Sequence, residues 1–208
     1  MSDAGTRPAS RRREQTRARL LAAAHDVFSE VGMDAASVET ICERAGFTRG
    51  AFYSNFDSKD ELFLALITQL AEAKLEEVAD RVRELDPDTL AEPSALVRQV
   101  IGVSLGERME PQLLSEIRTQ ALRDPRLATA YLAWQEAMRS RVEAIVAQVA
   151  ERFGLRLRLP VGEAAQLLLD VSDDTCTRAA LEGRSQGEIN ELLNARLERI
   201  VVALVEAP

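Results

Sequence analysis

The sequence predicts an all-α protein, and three observations carry that reading. Only 4% of the residues are aromatic although 46% are hydrophobic. Ala, Leu, Glu and Arg, which lose little freedom in a helix, are abundant. Apolar residues recur at steps of three and four in one stretch after another, the period of a helix buried along one side. At 208 residues the chain can bury a substantial core, as one large helical domain or two smaller ones. The stripes suggest about nine helices, three in an N-terminal unit and the rest in a larger C-terminal body.

Residues 1–13 show no apolar period; with Pro8 followed by Arg11, Arg12 and Arg13 they read as a flexible basic arm, and the first helix is expected to begin near Glu14. Leu20, Ala24, Val27, Phe28 and Val31 then form one stripe. His25, the single histidine, is expected on the solvated side of that helix.

Ser37 to Phe56 reads as two short helices around a glycine turn. Val38, Ile41, Cys42 and Ala45 share a face, Ser37 is a suitable N-cap, and Glu39 lies in the favoured first turn. Gly46 ends this helix, because a residue without Cβ reverses the chain at positive φ most cheaply. Thr48 caps the next helix, with Phe47 and Phe52 placed as a hydrophobic staple.

Phe52 and Phe56 point inward by spacing, which leaves Arg49, Gly50, Tyr53 and Ser54 outward on a face read as nearly free of carboxylates. A short helix offered N-terminus first suits the DNA major groove: Arg reaches guanine, and a small residue lets the backbone approach the bases. Tyr53 and Thr48 suit phosphate oxygens better than base edges. Ser58 to Glu61 is an S-x-x-E capping box, so Lys59 stands at a helix N-terminus where a phosphate would be favoured. The basic arm, through Arg12 and Arg13, could reach an adjacent minor groove or merely solubilise the chain.

From Leu20 to Leu66 the pattern resembles the DNA-binding domain of the tetracycline-repressor (TetR) family of bacterial regulators. The residues that carry the resemblance are F-x-E-x-G at Phe28 to Gly32, S-V-x-x-I-x-x-x-A-G, T-R-G-x-F-Y-x-x-F and S-K-D-E-L-F, in that order and spacing. Asn55 departs from it, standing where the family often has histidine. The resemblance implies a helix-turn-helix domain over 14–60 and a ligand-binding and dimerisation domain over 61–208. It also implies a homodimer on double-stranded DNA with an inverted-repeat operator, most simply a repressor released by a small-molecule effector. Candidate DNA contacts are Ser37, Thr48, Arg49, Gly50, Tyr53, Ser54, Asn55, Lys59, Arg12 and Arg13.

A long helix from Ser58 to about Leu85, striped by Leu62, Leu66, Leu70 and Ala73, would link head and body. After a Pro- and Asp-rich loop, helices are expected over 94–109, from Pro111 to the Asp124-Pro125 step, and along the stripe Leu127, Tyr131, Trp134, Met138, Val142, Ile145, Val149, Phe153. Candidate ligand contacts are Met109, Ile117, Trp134, Met138 and Asp173; a large ring and an adaptable thioether suit an apolar cavity. The family usually has apolar residues near Asp173 and Asp174. Either one acid faces the cavity and predicts a cationic or hydrogen-bonding ligand, or Asp174 pairs with Arg178 at the surface.

Helices over about 161–181 and 186–205 close the chain. Their stripes, Ala164, Ala165, Leu168, Ser172, Thr175, Ala179 and Ile189, Leu193, Leu197, Ile200, Leu204, would by the resemblance form a four-helix dimer interface; the alternative is a hairpin packed on its own body.

The net charge of −8 is uneven: residues 1–20 carry +4, whereas residues 57–208 carry −9, so the acidity belongs to the body. At a Debye length of ~8 Å a DNA contact senses mainly the local field. One histidine, no glycine-rich phosphate loop and no Cys/His cluster leave a triad, a zinc site or a nucleotide fold without parts, so no catalytic residue, metal or cofactor is expected. Cys42 and Cys176 read as free, buried thiols. A ligand-independent DNA-binding or protein-interaction module is the competing reading; an interaction module would show an acidic or apolar outward face. With no apolar run near the ~20 residues of a membrane span and no secretory signal pattern, a cytoplasmic location is expected.

Overall fold

The computed structural model describes residues 8–86 and 111–206. Among them lie eight helices and one isolated β-bridge. The helix expected over 94–109, and with it Met109, falls outside the described residues.

Helix α1 (Pro8–Ala35) begins six residues before the expected Glu14. Proline suits a first helical turn, where its missing N–H has no partner to lose. Arg11, Arg12 and Arg13 therefore project, exposed, from a helix and not from an extended arm. Near its end Gly32 leaves helical geometry at φ 77°, and Val31, expected on the buried stripe, is 52% exposed just before that kink. His25 is half-buried, contrary to the solvated position expected, and its Nε2 has no partner among the described residues.

In α2 (Val38–Ala45) the Ser37 hydroxyl accepts the Thr40 N–H at 3.0 Å. Gly46 ends it at φ 71°; its N–H reaches the Glu43 carbonyl and that of Phe47 the Cys42 carbonyl, a Schellman pairing that a left-handed residue makes possible. Helix α3 (Arg49–Tyr53) starts at Thr48, whose hydroxyl accepts the Ala51 N–H at 3.3 Å. Helix α4 (Lys59–Glu84) starts at Ser58, which accepts the Glu61 N–H at 3.0 Å. The Glu61 carboxylate reaches the Asp57 N–H at 2.6 Å, one residue short of the reciprocal bond of a full capping box.

Helices α5 (Pro111–Ala121) and α6 (Pro125–Arg152) meet at Asp124, which caps α6 by accepting from Arg126 and Leu127 N–H groups. Helices α7 (Val161–Leu181) and α8 (Gln186–Leu204) form a hairpin, with a full capping box at Ser185 and Glu188 opening α8. The chain end ties back to the α6–α7 connection through the bridge of Leu157 with Val205, a pairing too short to leave a strand pattern in the sequence.

One core cluster holds the head together and runs on into the body. Leu20, Phe28, Phe52, Phe56 and Phe63 are buried in the head, and the same cluster includes Leu113, Ile117 and Tyr131 from α5 and α6. Each such side chain contributes ~1.5–3 kcal/mol on burial. The first half of α4 and all of α5 are thus packed on the helix-turn-helix, and the core continues across residue 60. A second, smaller cluster joins Val78 and Val82 to Ile145, Val149 and Phe153.

The stripes expected to pair two subunits are mostly used inside one chain. Ala164, Ala165, Thr175 and Ala179 are buried, as are Ile189, Leu193 and Leu197. Small residues let α7 lie close to its own neighbours, and the apolar side chains left outside are Leu167, Leu181 and Val202. No described helix is long and apolar enough to cross a membrane.

Candidate nucleic-acid interface and ligand cavity

The head presents α3 because its back is fixed. Phe52 and Phe56 pack with ring centroids 5.8 Å apart, and both are essentially inaccessible. Two arginines of α1 brace the turns on either side of α3: Arg17 lies 4.2 Å over the Phe56 ring and donates to the Asn55 carbonyl at 3.1 Å, while Arg19 lies over Phe47 and donates to the Ala45 carbonyl at 2.8 Å. Arg19 sits on the last carbonyl of α2, where positive charge is favoured, and Arg17 on a carbonyl of the turn that follows α3. Their place in a basic N-terminal sequence concealed this role.

Thr48, Arg49, Gly50, Tyr53 and Ser54 are exposed together, as the spacing predicts. Thr48 keeps its hydroxyl proton free to donate while capping α3, and Ser54 donates to the Ala51 carbonyl at 2.9 Å. Ser37 is half-buried, its hydroxyl shared between the Thr40 N–H and the Thr40 hydroxyl.

Three expectations change. The outward face is not free of carboxylates: Glu39 on α2 reaches across to Arg49, Oε1 to Nη1 at 2.5 Å. Tyr53 and then Glu39 hold the Arg49 guanidinium firmly protonated. Asn55 is buried, and its amide donates to the Ala51 carbonyl at 2.8 Å, so its side chain finishes α3 and does not reach outward. Lys59 turns inward: its ammonium donates to the Met33 carbonyl at 2.6 Å and the Ala36 carbonyl at 2.9 Å, two orphan groups after the Gly32 kink. Only one of its three N–H bonds is left for anything else.

Beneath the head lies a cavity of about 900 Å³, within the size range of small-molecule sites. Trp134, Met138 and Asp173 line it as expected, joined by Arg118, Tyr131 and Cys176. Ile117 does not: it is completely buried in the core shared with the head, about a quarter-turn around α5 from its neighbour Arg118. Asp173 faces the cavity and is paired there, Arg118 Nη2 lying 2.9 Å from both carboxylate oxygens. Asp174 turns outward to Arg178 at 3.3 Å and to Arg196 at 3.1 Å. The Arg118 partner could not be read from sequence, because it is 55 residues away. Both cysteines are free thiols, Cys42 buried as expected but Cys176 only half-buried, and burial pushes both up from their ordinary values.

The architecture and this exposed, braced second helix define a helix-turn-helix protein with an all-helical body. The comparisons with known proteins agree: residues 20–66 match the family described as bacterial regulatory proteins, tetR family. An HTH-type transcriptional regulator of Mycobacterium bovis is 37% identical over 90 residues, 43% of this chain and 46% of the relative. The match thus spans about half of the length of that relative. The HTH-type transcriptional repressor AcnR of Corynebacterium efficiens is 26% identical over 199 residues, 94% of this chain and 96% of the relative. The crystal structure of a TetR transcription regulator from Haloarcula marismortui superposes with a TM-score of 0.70 at 20% identity, covering 93% of this chain and all of that one. Residues 20–66 thus carry the sequence pattern of the tetR-family regulatory proteins, and the chain as a whole shares the fold of a solved TetR transcription regulator.

Proposed function

We propose that the chain is a homodimeric, ligand-responsive transcriptional repressor that binds an inverted-repeat DNA operator through α3 and an effector in the body cavity. The observation that carries this reading is the placement of α5. One of its sides enters the cavity at Arg118; the other holds the head, where the Glu116 carboxylate accepts the Met33 N–H and Gln120 donates to Asp34 at 2.5 Å. A ligand that moves Arg118 therefore acts on the kink at the end of α1, behind the DNA-facing helix. Such a ligand must bind one conformation better than the other, since equal affinity shifts no equilibrium.

In this reading Arg49 reads a base edge, Thr48, Tyr53 and Ser37 position phosphates, and Arg12 and Arg13 add nonspecific attraction from the first turns of α1. Asn55 and Lys59 support the head from within. Dimerisation through the α7–α8 hairpin uses its outer face, where Leu167, Leu181 and Val202 remain exposed, and gives the twofold spacing of ~34 Å that two half-sites require. The name of the AcnR relative supports repression as the sign of control.

The test is selection of fragmented DNA from the source genome by the purified protein at physiological salt. Enrichment of one inverted repeat beside a few genes supports the regulator and delivers its operator. Uniform recovery of all fragments sinks the sequence-specific reading.

A further inference from the structure

Seven charged side chains line the cavity, and among the described residues each is held by another part of the chain. Arg118 donates to both oxygens of Asp173 at 2.9 Å and bonds Tyr131 as well. Arg139 reaches Glu136 at 2.6 Å and Glu143 at 2.9 Å, and Lys74 reaches Glu77 at 3.0 Å. Asp170 accepts from the Gln166 amide at 2.8 Å. Every cation of the wall is thus spent on a carboxylate beside it. A charged ligand would have to break one of these bonds or leave its own charge unpaired.

Most of the remaining wall is carbon. Val142, Ile145, Val146 and Val149 of α6 face Leu168 and Leu169 of α7 across the cavity, and all six are only half-buried in the chain as it stands. A ligand that covers them removes apolar surface from water. Trp134 offers ring carbon, because its indole nitrogen has almost no accessible surface. Of the neutral polar groups, the Ser172 hydroxyl donates to the Leu168 carbonyl at 2.7 Å and the Gln186 amide to Asn190 at 3.3 Å, each within its own helix. Burial and then the charge of Asp173 push the Cys176 thiol up, so it too stays neutral.

We propose that this cavity takes an uncharged apolar ligand, a long chain or a fused-ring body, and that the pairing of its charged wall, above all Arg118 with Asp173, excludes carboxylates and ammonium ions alike. The inference rests on the reading of this cavity as the effector site, and it replaces the cationic ligand that an unpaired Asp173 would have required. Each methylene laid on the aliphatic wall tightens binding about four-fold, whereas an ionic end group loses hydration and finds its partners taken.

The probes are 1-decanol, decanoate and decylammonium, alike in chain length and each below its micelle concentration, displacing the neutral fluorophore N-phenyl-1-naphthylamine from the purified protein. 1-Decanol is expected to bind about ten-fold tighter than either ion and about four-fold tighter than 1-nonanol. Val146→Trp and Leu169→Trp, which put an indole into the space from two different helices, should each weaken 1-decanol. Asp173→Asn, which frees Arg118, should tighten decanoate about ten-fold, and Arg118→Gln, which strands Asp173, should do the same for decylammonium. An ion that binds the parent as tightly as 1-decanol, a neutral preference unmoved in both charge variants, indifference of 1-decanol to both tryptophans, or no binding of 1-decanol overturns the proposal. The same probes are added to the protein on its selected operator. If 1-decanol binds with this preference yet leaves the operator bound, the effector reading falls and the ligand class stands. If one of the ions alone releases the operator, the ligand class falls and the effector reading stands.

Discussion

The ammonium of Lys59 lies 2.6 Å from the carbonyl oxygen of Met33, tying the start of α4 to the turn that ends α1. With the second bond to Ala36, this cation closes the frame on which α2 and α3 are mounted. Lys59→Met, which keeps the stem and removes the charge, should cost the head ~1.5–3 kcal/mol, the worth of hydrogen bonds to a charged group. Thermal melting measures the loss. The slope of log affinity against log salt should stay that of the parent, because no phosphate contact has been removed; a slope shallower by about one would show Lys59 on DNA instead.

Glu39 and Arg49 form an exposed ion pair on the outward face of the head, worth little in free energy but, if α3 reads DNA as proposed, well placed to compete with nucleic acid. Arg49→Ala should relax base preference at one operator position, at ~1–3 kcal/mol, with other positions unaffected. Glu39→Gln should raise affinity for all sequences, because it frees the arginine and removes a negative charge near the phosphates. Binding titrations on the operator and on single-base variants read both effects; a uniform loss for Arg49→Ala would remove it from base reading.

Gly32 combines φ 77° with contact to the body: a Cβ there would lie 2.9 Å from Glu116 Oε1. The carboxylate can swing aside, but the positive-φ extended backbone, essentially a glycine conformation, remains, so Gly32→Ala should cost ~1–3 kcal/mol. Glu116→Ala removes the acceptor of the Met33 N–H. Because the two changes act on one contact, their effects on melting should be less than additive in the double variant. Glu116→Ala should also reduce the effect of a bound ligand on operator affinity, if α5 carries the signal as proposed.

The outer face of the hairpin predicts its own test. Leu181 is 85% exposed and makes little contribution within one chain. Leu181→Glu should leave melting of the isolated chain nearly unchanged while shifting sedimentation from dimer toward monomer. Retention of the dimer would move the interface elsewhere.

Acid stability follows from paired carboxylates. Arg44 holds Glu30, and Arg139 holds Glu136, below the ordinary value of 4.5; bonds from Ser185 do the same for Glu188. A carboxylate lowered by folding adds stability that is complete above its unfolded value and is lost as pH falls through its folded one. Urea melts should therefore show an acid limb beginning below about pH 4.5. Since all three groups are exposed, added salt should flatten that limb.

The sequence by itself determined what depends on neighbours in the chain. Capping residues, the glycine turn at Gly46 and the three- and four-residue stripes fix helices and their faces locally, and they were enough to place Thr48, Arg49, Gly50, Tyr53 and Ser54 outward together. Tertiary structure alone decided where long, charged side chains end. Lys59, Glu39, Arg19 and Arg118 each reach a partner on another helix and Arg17 one in the turn after α3, and a flexible side chain has no periodicity that reveals its partner. It also decided which side of each apolar helix meets its own body: Ile117 joined the head core and the Ala164–Ala179 stripe an internal seam, because burial is shared among all helices at once and no single stripe records the outcome.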